Sequence, residues 1–251
     1  MVAILSTGTT VLLFGSQALL FNEESLAQLR AALLDSPDHC WALKTIAEFS
    51  DYWGAILEKF PQLQSIAGSK LVEDLKQWLE TGKLTHATFP LPNILLTPLT
   101  VIGQLVQYSR YLDAQSVPGD HENLFSVFKQ DTQTLGHCTG LLSAFAVASS
   151  ASRVQFEHYS SVAVRQAMLI GALVDSKDNS DRGYGPSRSL ATVWNSPEVG
   201  DELTRVLDHF PEVSCFANLI AFIYRKGGLI VTCRHMLQSY MMTIVLLSQF
   251  L

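Results

Sequence analysis

The sequence predicts an α/β domain, and two stretches carry that prediction. Thr10 to Phe14 is a short apolar, β-type run that stops at Gly15-Ser16-Gln17. Gly136-His137-Cys138-Thr139-Gly140 follows a polar segment, 130–134, and opens a stretch rich in Leu, Ala and Ser. The first reads as a buried parallel strand with a loop at its carboxyl end. The second reads as a strand handing over to a buried helix. Segments with helical spacing fill the chain between them. Strands separated by helices point to an α/β layer rather than a bundle. Ligands in such sheets bind beyond the carboxyl ends of the strands, so both turns are expected to face one cleft.

The other elements have their own signals. Glu23-Glu24-Ser25 opens an amphipathic helix with Leu26, Leu29, Leu33 and Leu34 on one face, its acids suiting a helix N-terminus. Residues 38–60 read as one helix, with Trp41, Ile46, Phe49, Trp53 and Leu57 near helical spacing, broken by Pro61. Leu71 to Leu79 is a third helix, ended by Thr81-Gly82. Residues 90–98 read as a loop, and Pro98 as the first turn of a helix over 99–111. A helix is expected over 156–174, with Val162, Val164, Ala167, Ile170 and Gly171 inward. Residues 175–186 are charged and Gly-rich and read as an exposed linker. An amphipathic helix follows over 197–210, and Leu229 to Thr232 is a further strand candidate. The division expected is a large subdomain over 1–186 and a partial or altered small subdomain with a hydrophobic tail over 187–251.

Composition bounds the function. The chain has 251 residues, 48% hydrophobic, with net charge −6. This suits one large domain, or one with a small companion. The acidic balance and the lack of a basic run argue against a nucleic-acid partner. Cys40, Cys138, Cys215 and Cys233 show no C-x-x-C spacing, so neither a zinc site nor a disulfide framework is indicated. The apolar stretches near the N-terminus lack a basic flank and are broken by Gly15, Ser16 and Gln17, unlike a signal peptide. No run of 18 apolar residues suggests a membrane span. A reducing cytoplasm is the expected location, where Cys138 stays a free thiol.

Cys138 is the candidate nucleophile. Gly136 and Gly140 flank it as Gly-x-Cys-x-Gly, the nucleophile-elbow pattern with sulfur in place of the hydroxyl. The turn strains the nucleophile's backbone and brings strand and helix close, which demands small neighbours. The following helix would aim its positive end at a thiolate and then at an oxyanion. A buried cysteine that serves only as a small hydrophobe is the alternative.

Five blocks together resemble one family: residues 13–17, residues 91–99, the elbow with Leu141-Leu142, residues 163–171 and residues 194–198. The family is the starter-unit acyl-carrier-protein transacylase domain at the N-terminus of fungal non-reducing polyketide synthases. The resemblance spans roughly residues 10–212. It implies an α/β-hydrolase-like core, as in malonyl-CoA transacylases, with a ferredoxin-like small subdomain and the active site between them. It further implies that Cys138 takes an acyl group from acyl-CoA or a carrier protein and passes it to a phosphopantetheinyl carrier protein. Both are substrates, and no bound cofactor or metal is implied. The backbone N–H groups of Gln17 and Thr139 would form the oxyanion hole.

One contrast with malonyl-type relatives and one departure from the family bear on chemistry. Malonyl-type relatives carry an arginine on the second helix after the nucleophile, to grip a free carboxylate bidentately. Ile170 falls at that position here, and Arg165, five residues earlier, would face away by more than about 100°. An uncharged acyl chain is therefore expected in the pocket, and Arg165 is expected to be a surface or salt-bridge residue, since unpaired arginines are seldom buried. The family's histidine base is also not found in its usual segment. The tail after Pro211 reads as a truncation or an altered reading frame, and is expected to pack poorly. His235 is the remaining candidate base; His137, His158 and His209 are weaker. Two other readings stay open: a Cys-type hydrolase or thioesterase drawing on Asp175, and a catalytically weak or inactive truncated polyketide synthase fragment, such as a non-catalytic remnant or a scaffold that only binds carrier protein.

Overall fold

The computed structural model describes residues 2–6, 9–15, 21–87, 89–115, 132–180, 198, 221–225 and 228–232. The chain divides into two compact units, Met1–Arg188 and Ser189–Leu251.

The first unit contains a three-stranded mixed sheet in the order β1-β2-β3. β1 (Val2–Ser6) pairs antiparallel with β2 (Thr9–Phe14), Val2 opposite Leu13 and Ser6 opposite Thr9. β2 runs parallel to β3 (Thr132–Gly136), with Thr10 beside Thr132 and Phe14 beside Gly136. β2 is the parallel strand the sequence predicts: Leu12 and Phe14 are buried, as its apolar run requires. The register ends β2 and β3 level, so the turn after β3 starts beside the carboxyl end of β2. β1 was not expected from the sequence.

Seven helices are described in this unit. α1 (Glu23–Asp35) starts with a reciprocal cap: Asn22 Oδ1 accepts from the Ser25 amide and Ser25 Oγ from the Asn22 amide, both at 2.8 Å. Leu26, Leu29 and Leu33 are buried, but Leu34 is 52% exposed, so the predicted stripe is one residue too wide. The single helix expected over 38–60 is instead a 3-10 turn (Pro37–His39), α2 (Cys40–Ala47) and α3 (Phe49–Lys59). The break falls at Glu48, whose ψ of −3° ends α2. Re-aiming the chain there lets Trp41 and Ile46 on α2, and Phe49 and Trp53 on α3, all reach the core.

α4 (Gly68–Thr81) closes on Gly82 at φ 81°, the left-handed cap that Thr81-Gly82 predicts. Arg30 of α1 donates to the carbonyls of Trp78, Leu79 and Glu80 at 2.9–3.0 Å, which satisfies the end of α4. α5 (Asn93–Gln115) begins six residues before its expected start, with Pro98 inside it. α6 (Gly140–Ser149) and α7 (Arg153–Ser180) follow β3. α7 runs through Asp175 to Ser180, so the linker expected over 175–186 starts with helix; residues 181–186 lie outside the described residues. Leu99 and Ile102 on α5 and Val164, Ala167 and Met168 on α7 are fully buried. Each large aliphatic side chain there contributes about 2 kcal/mol relative to an exposed position.

In the second unit β4 (Ala221–Arg225) and β5 (Gly228–Thr232) form an antiparallel hairpin, Ala221 opposite Thr232 and Arg225 opposite Gly228. β5 is the strand the sequence suggests; β4, its partner, was not expected from the sequence. Of the helix expected over 197–210, only Glu198 is among the described residues.

Candidate active site

The site is built on the junction of β3 and α6. After Gly136 the His137 amide donates to the Phe14 carbonyl at 2.9 Å, which carries the parallel pairing one step past the strand. The chain then turns at Cys138, at φ 55°. Among the described residues it is the one non-glycine residue with positive φ. Holding a side chain in this region costs about 1–3 kcal/mol, and such strain gathers at functional sites. The amides of Gly140, Leu141 and Leu142 reach back to the carbonyls of His137, Cys138 and Thr139 at 3.0, 3.0 and 3.1 Å. These tight turns start α6 directly behind the cysteine.

The two glycines are required by space. A Cβ on Gly136 would lie 2.5 Å from Leu141 Cα and 2.6 Å from the Gly140 carbonyl oxygen. A Cβ on Gly140 would lie 2.2 Å from the Phe14 oxygen and 2.4 Å from that of Gly15. All of these neighbours are backbone atoms, which cannot swing aside. Helix and strands are thus pressed together around Cys138.

Cys138 is half-buried, with Sγ 3.9 Å from Thr139 Oγ1. Thr139 is buried at the N-cap of α6. The positive end of the α6 dipole therefore lies at the cysteine. His137 is partly buried, and that burial lowers its pKa below the ordinary value. Its neutral imidazole is favoured at neutral pH, so it adds no positive charge beside the thiol.

The other residues singled out from sequence are dispersed. Gln17, His209, His235, Cys215 and Cys233 lie outside the described residues. Cys40 is an exposed free thiol. His158 is exposed on α7, its ring against Tyr159. Ile170 is half-buried on α7. Arg165 pairs with Glu48 and lies over the Tyr52 ring at 5.9 Å, one of the two placements expected for it. Asp175 does not stand free as a catalytic acid: its carboxylate accepts the amides of Asn93 and Ile94 at the start of α5.

A buried polar pair beside the elbow has no counterpart among the residues the sequence singles out. Gln104 of α5 donates to the Gly15 carbonyl at 2.8 Å and accepts from Ser143 of α6 at 2.7 Å. The available signal was a glutamine on the apolar stripe of α5, between Ile102 and Leu105. Among the described residues, no group of three His, Cys, Asp or Glu side chains is placed to hold a metal ion. None of the described helices is long and apolar enough to cross a membrane.

Comparison with known proteins bears directly on this arrangement. The family described as "Starter unit:ACP transacylase in aflatoxin biosynthesis" matches residues 54–215, which include the elbow, α6 and α7. A non-reducing polyketide synthase of Monascus ruber is 49% identical over 207 residues, 82% of this chain and 8% of that protein. A non-reducing polyketide synthase of Emericella nidulans is 40% identical over 204 residues, 80% of this chain and 8% of that protein. The clavatol synthase of Penicillium crustosum is likewise 40% identical over 204 residues, 80% of this chain and 8% of that protein. The chain thus spans 8% of the length of each of these curated relatives. With most of its length matched, and with a strained cysteine between strand and helix inside the matched span, the chain belongs to the starter unit:ACP transacylase family.

Proposed function

We propose that the chain is a starter-unit acyltransferase of fungal polyketide biosynthesis that works through a thioester on Cys138. The observation that carries this reading is Cys138 at φ 55° on the turn between β3 and α6. The Cys138 thiolate attacks the carbonyl carbon of an acyl-CoA or an acyl carrier protein, forming a C–S bond. The carbonyl oxygen becomes an oxyanion, held by the backbone N–H groups of Thr139 and Gln17. The intermediate collapses, the bond to the donor's sulfur (that of coenzyme A or of the carrier protein's phosphopantetheine) breaks, and that sulfur leaves carrying a proton. A phosphopantetheine thiol on a carrier protein then attacks the enzyme thioester by the same route in reverse. Exchange between two thioesters is nearly balanced in energy, and a thiolate is a strong nucleophile at neutral pH. His235 is the proposed base that takes the proton from each attacking thiol and returns it to the departing one.

The same reading assigns no bound cofactor, places an uncharged acyl chain against Ile170, and locates the protein in the cytoplasm. The core is read as α/β-hydrolase-like over residues 1–186, with the small subdomain over 187–251. The hydrolase alternative is weakened because its candidate acid, Asp175, is engaged at the start of α5.

Incubation with short acyl-CoAs tests this. An acyl mass is expected on the peptide containing Cys138, absent in Cys138→Ala and discharged by a phosphopantetheinyl carrier protein. His235→Ala is expected to slow loading without abolishing it. Label on Cys40, Cys215 or Cys233 instead, or release of free acid in place of transfer, overturns the reading.

A further inference from the structure

Gln104 lies on the buried side of α5 and is 8% exposed; its partner Ser143 on α6 is fully buried. Gln104 Nε2 donates to the Gly15 carbonyl at 2.8 Å, and its Oε1 accepts from Ser143 Oγ at 2.7 Å. A carbonyl can only accept, so the Gly15 oxygen fixes which end of the Gln104 amide faces it. The hydroxyl of Ser143 then fills the other end.

The atom held by Gln104 is one of the two on which the elbow rests. The Gly15 oxygen and the Phe14 oxygen are the two that Gly140 packs against so closely that no Cβ fits. Phe14 also receives the His137 amide. The direction of the Gly15 carbonyl therefore sets how deeply the turn at Cys138 seats on the end of β2. Ser143, three residues beyond Gly140, ties α6 to the same amide. One side chain thus joins the end of β2, α5 and α6 at the point where they meet.

We propose that Gln104 is a positioning residue for acyl transfer at Cys138. It holds β2 and α6 in the arrangement in which the amide end of α6 faces an oxyanion formed on Cys138. This rests on the acyl-transfer reading above. An apolar side chain at position 104 leaves the fully buried Ser143 hydroxyl without a partner and releases the Gly15 carbonyl from the amide that holds it, so both are free to shift. A displacement of about 1 Å at the reacting centre costs up to about 100-fold in rate.

The test compares two reactions of the same thiol in the full chain. Acylation by acyl-CoA needs an oxyanion to be stabilised; alkylation by iodoacetamide, at a saturated carbon, does not. Both are followed at Cys138 by peptide mass in single-turnover experiments. Gln104→Leu is expected to slow acylation about 30- to 100-fold, with alkylation changed less than about twofold. Ser143→Ala keeps the donor to Gly15 and is expected to slow acylation by less, about two- to fivefold.

Gln104→Glu gives a sign that a purely structural role would not. An ionised glutamate has no proton to donate to the Gly15 carbonyl, whereas a protonated one donates there and still accepts from Ser143. Burial raises a carboxyl pKa, so this change falls within reach of neutral pH. Acylation by Gln104→Glu, divided by alkylation, is expected to recover as pH falls from about 8 to about 6, while the unsubstituted chain shows no such recovery. This variant and Ser143→Ala decide the matter if Gln104→Leu does not fold. Equal loss of acylation and alkylation, or unchanged acylation in the Gln104 variants, overturns the proposal alone. Failure of the unsubstituted chain to acylate at Cys138 overturns the acyl-transfer reading and this proposal with it.

Discussion

The Asp175 carboxylate caps a helix that begins at Asn93, 82 residues earlier in the chain. Its oxygens accept the amides of Asn93 and Ile94 at 3.0 and 2.8 Å and the Asn93 side-chain amide at 2.9 Å. The first amides of a helix have no partner within it, and a side-chain acceptor there contributes about 1–2 kcal/mol. Asp175→Ala is therefore expected to lower unfolding stability by about 1–2 kcal/mol, and Asp175→Asn by less, since one oxygen remains to accept. Urea midpoints at unchanged slope measure this. A midpoint equal to that of the unsubstituted chain would mean that water caps α5 as well as Asp175 does.

Asp74 ties down the segment after α4 in a comparable way. Its fully buried carboxylate accepts the amides of Thr85, His86 and Ala87 at 2.7–2.8 Å, and the Thr85 hydroxyl. Burial works to raise its pKa, but the bonds from Thr85, Ala87 and His86 prevail and hold it at about 2. The folded pKa lies below the unfolded value of about 3.9, so the stabilisation is complete above about pH 4 and is lost as pH falls through about 2. Asp74→Asn is expected to be less stable at neutral pH and to lose less stability between about pH 4 and about pH 2. Parallel stability curves for the two proteins would assign the acid sensitivity to another group.

These two carboxylates explain much of what was and was not legible in the sequence. β2, β3 and the elbow were readable because their signals are contiguous: an apolar run, then glycines at fixed offsets around Cys138. The C-terminus of α4 was readable because Gly82 is a local stop. The start of α5 was not, because its cap comes from Asp175 on another helix, and Pro98 looks like a first turn only if that cap is unknown. The same aspartate, read with its charged neighbours, suggested a linker where α7 continues. The break at Glu48 was hidden because the apolar spacing runs through it. At the candidate site, the tight turn at Cys138 was legible from the spacing of Gly136 and Gly140. Gln104 was not, because only the fold brings α5 against Gly15 and Ser143.

The pocket prediction follows from α7. Ile170 is proposed to meet the acyl group, and Arg165, five residues earlier on that helix, is engaged with Glu48 and Tyr52. A malonyl carboxylate placed there would be an unpaired charge in a partly apolar site, which is costly. Acetyl or hexanoyl groups are expected to load on Cys138 at least about tenfold faster than malonyl, and Ile170→Arg to narrow that ratio by bidentate pairing. Competition loading with mixed acyl-CoAs reads the ratio directly. Malonyl loading faster in the unsubstituted chain would remove Ile170 from the pocket.

Gly171 and Asp175 act on the same two residues of α5 and should be coupled. A Cβ on Gly171 would lie 2.1 Å from the Asn93 oxygen and 2.9 Å from the Ile94 nitrogen. Asp175 sits one helical turn further along the same face of α7 and receives the amides of that pair. The close approach that Gly171 permits is what brings the carboxylate within hydrogen-bond reach. Gly171→Ala must therefore push the start of α5 away and stretch the cap as well as overpack the contact, at a cost of about 2–4 kcal/mol. Once the cap is broken, Asp175→Ala has little left to remove. The double variant is expected to lose less than the sum of the two single losses, by about 1 kcal/mol. Urea unfolding of the four proteins closes the cycle. Strict additivity would mean that α5 accommodates the added methyl without moving its first turn, and that the cap does not depend on the glycine.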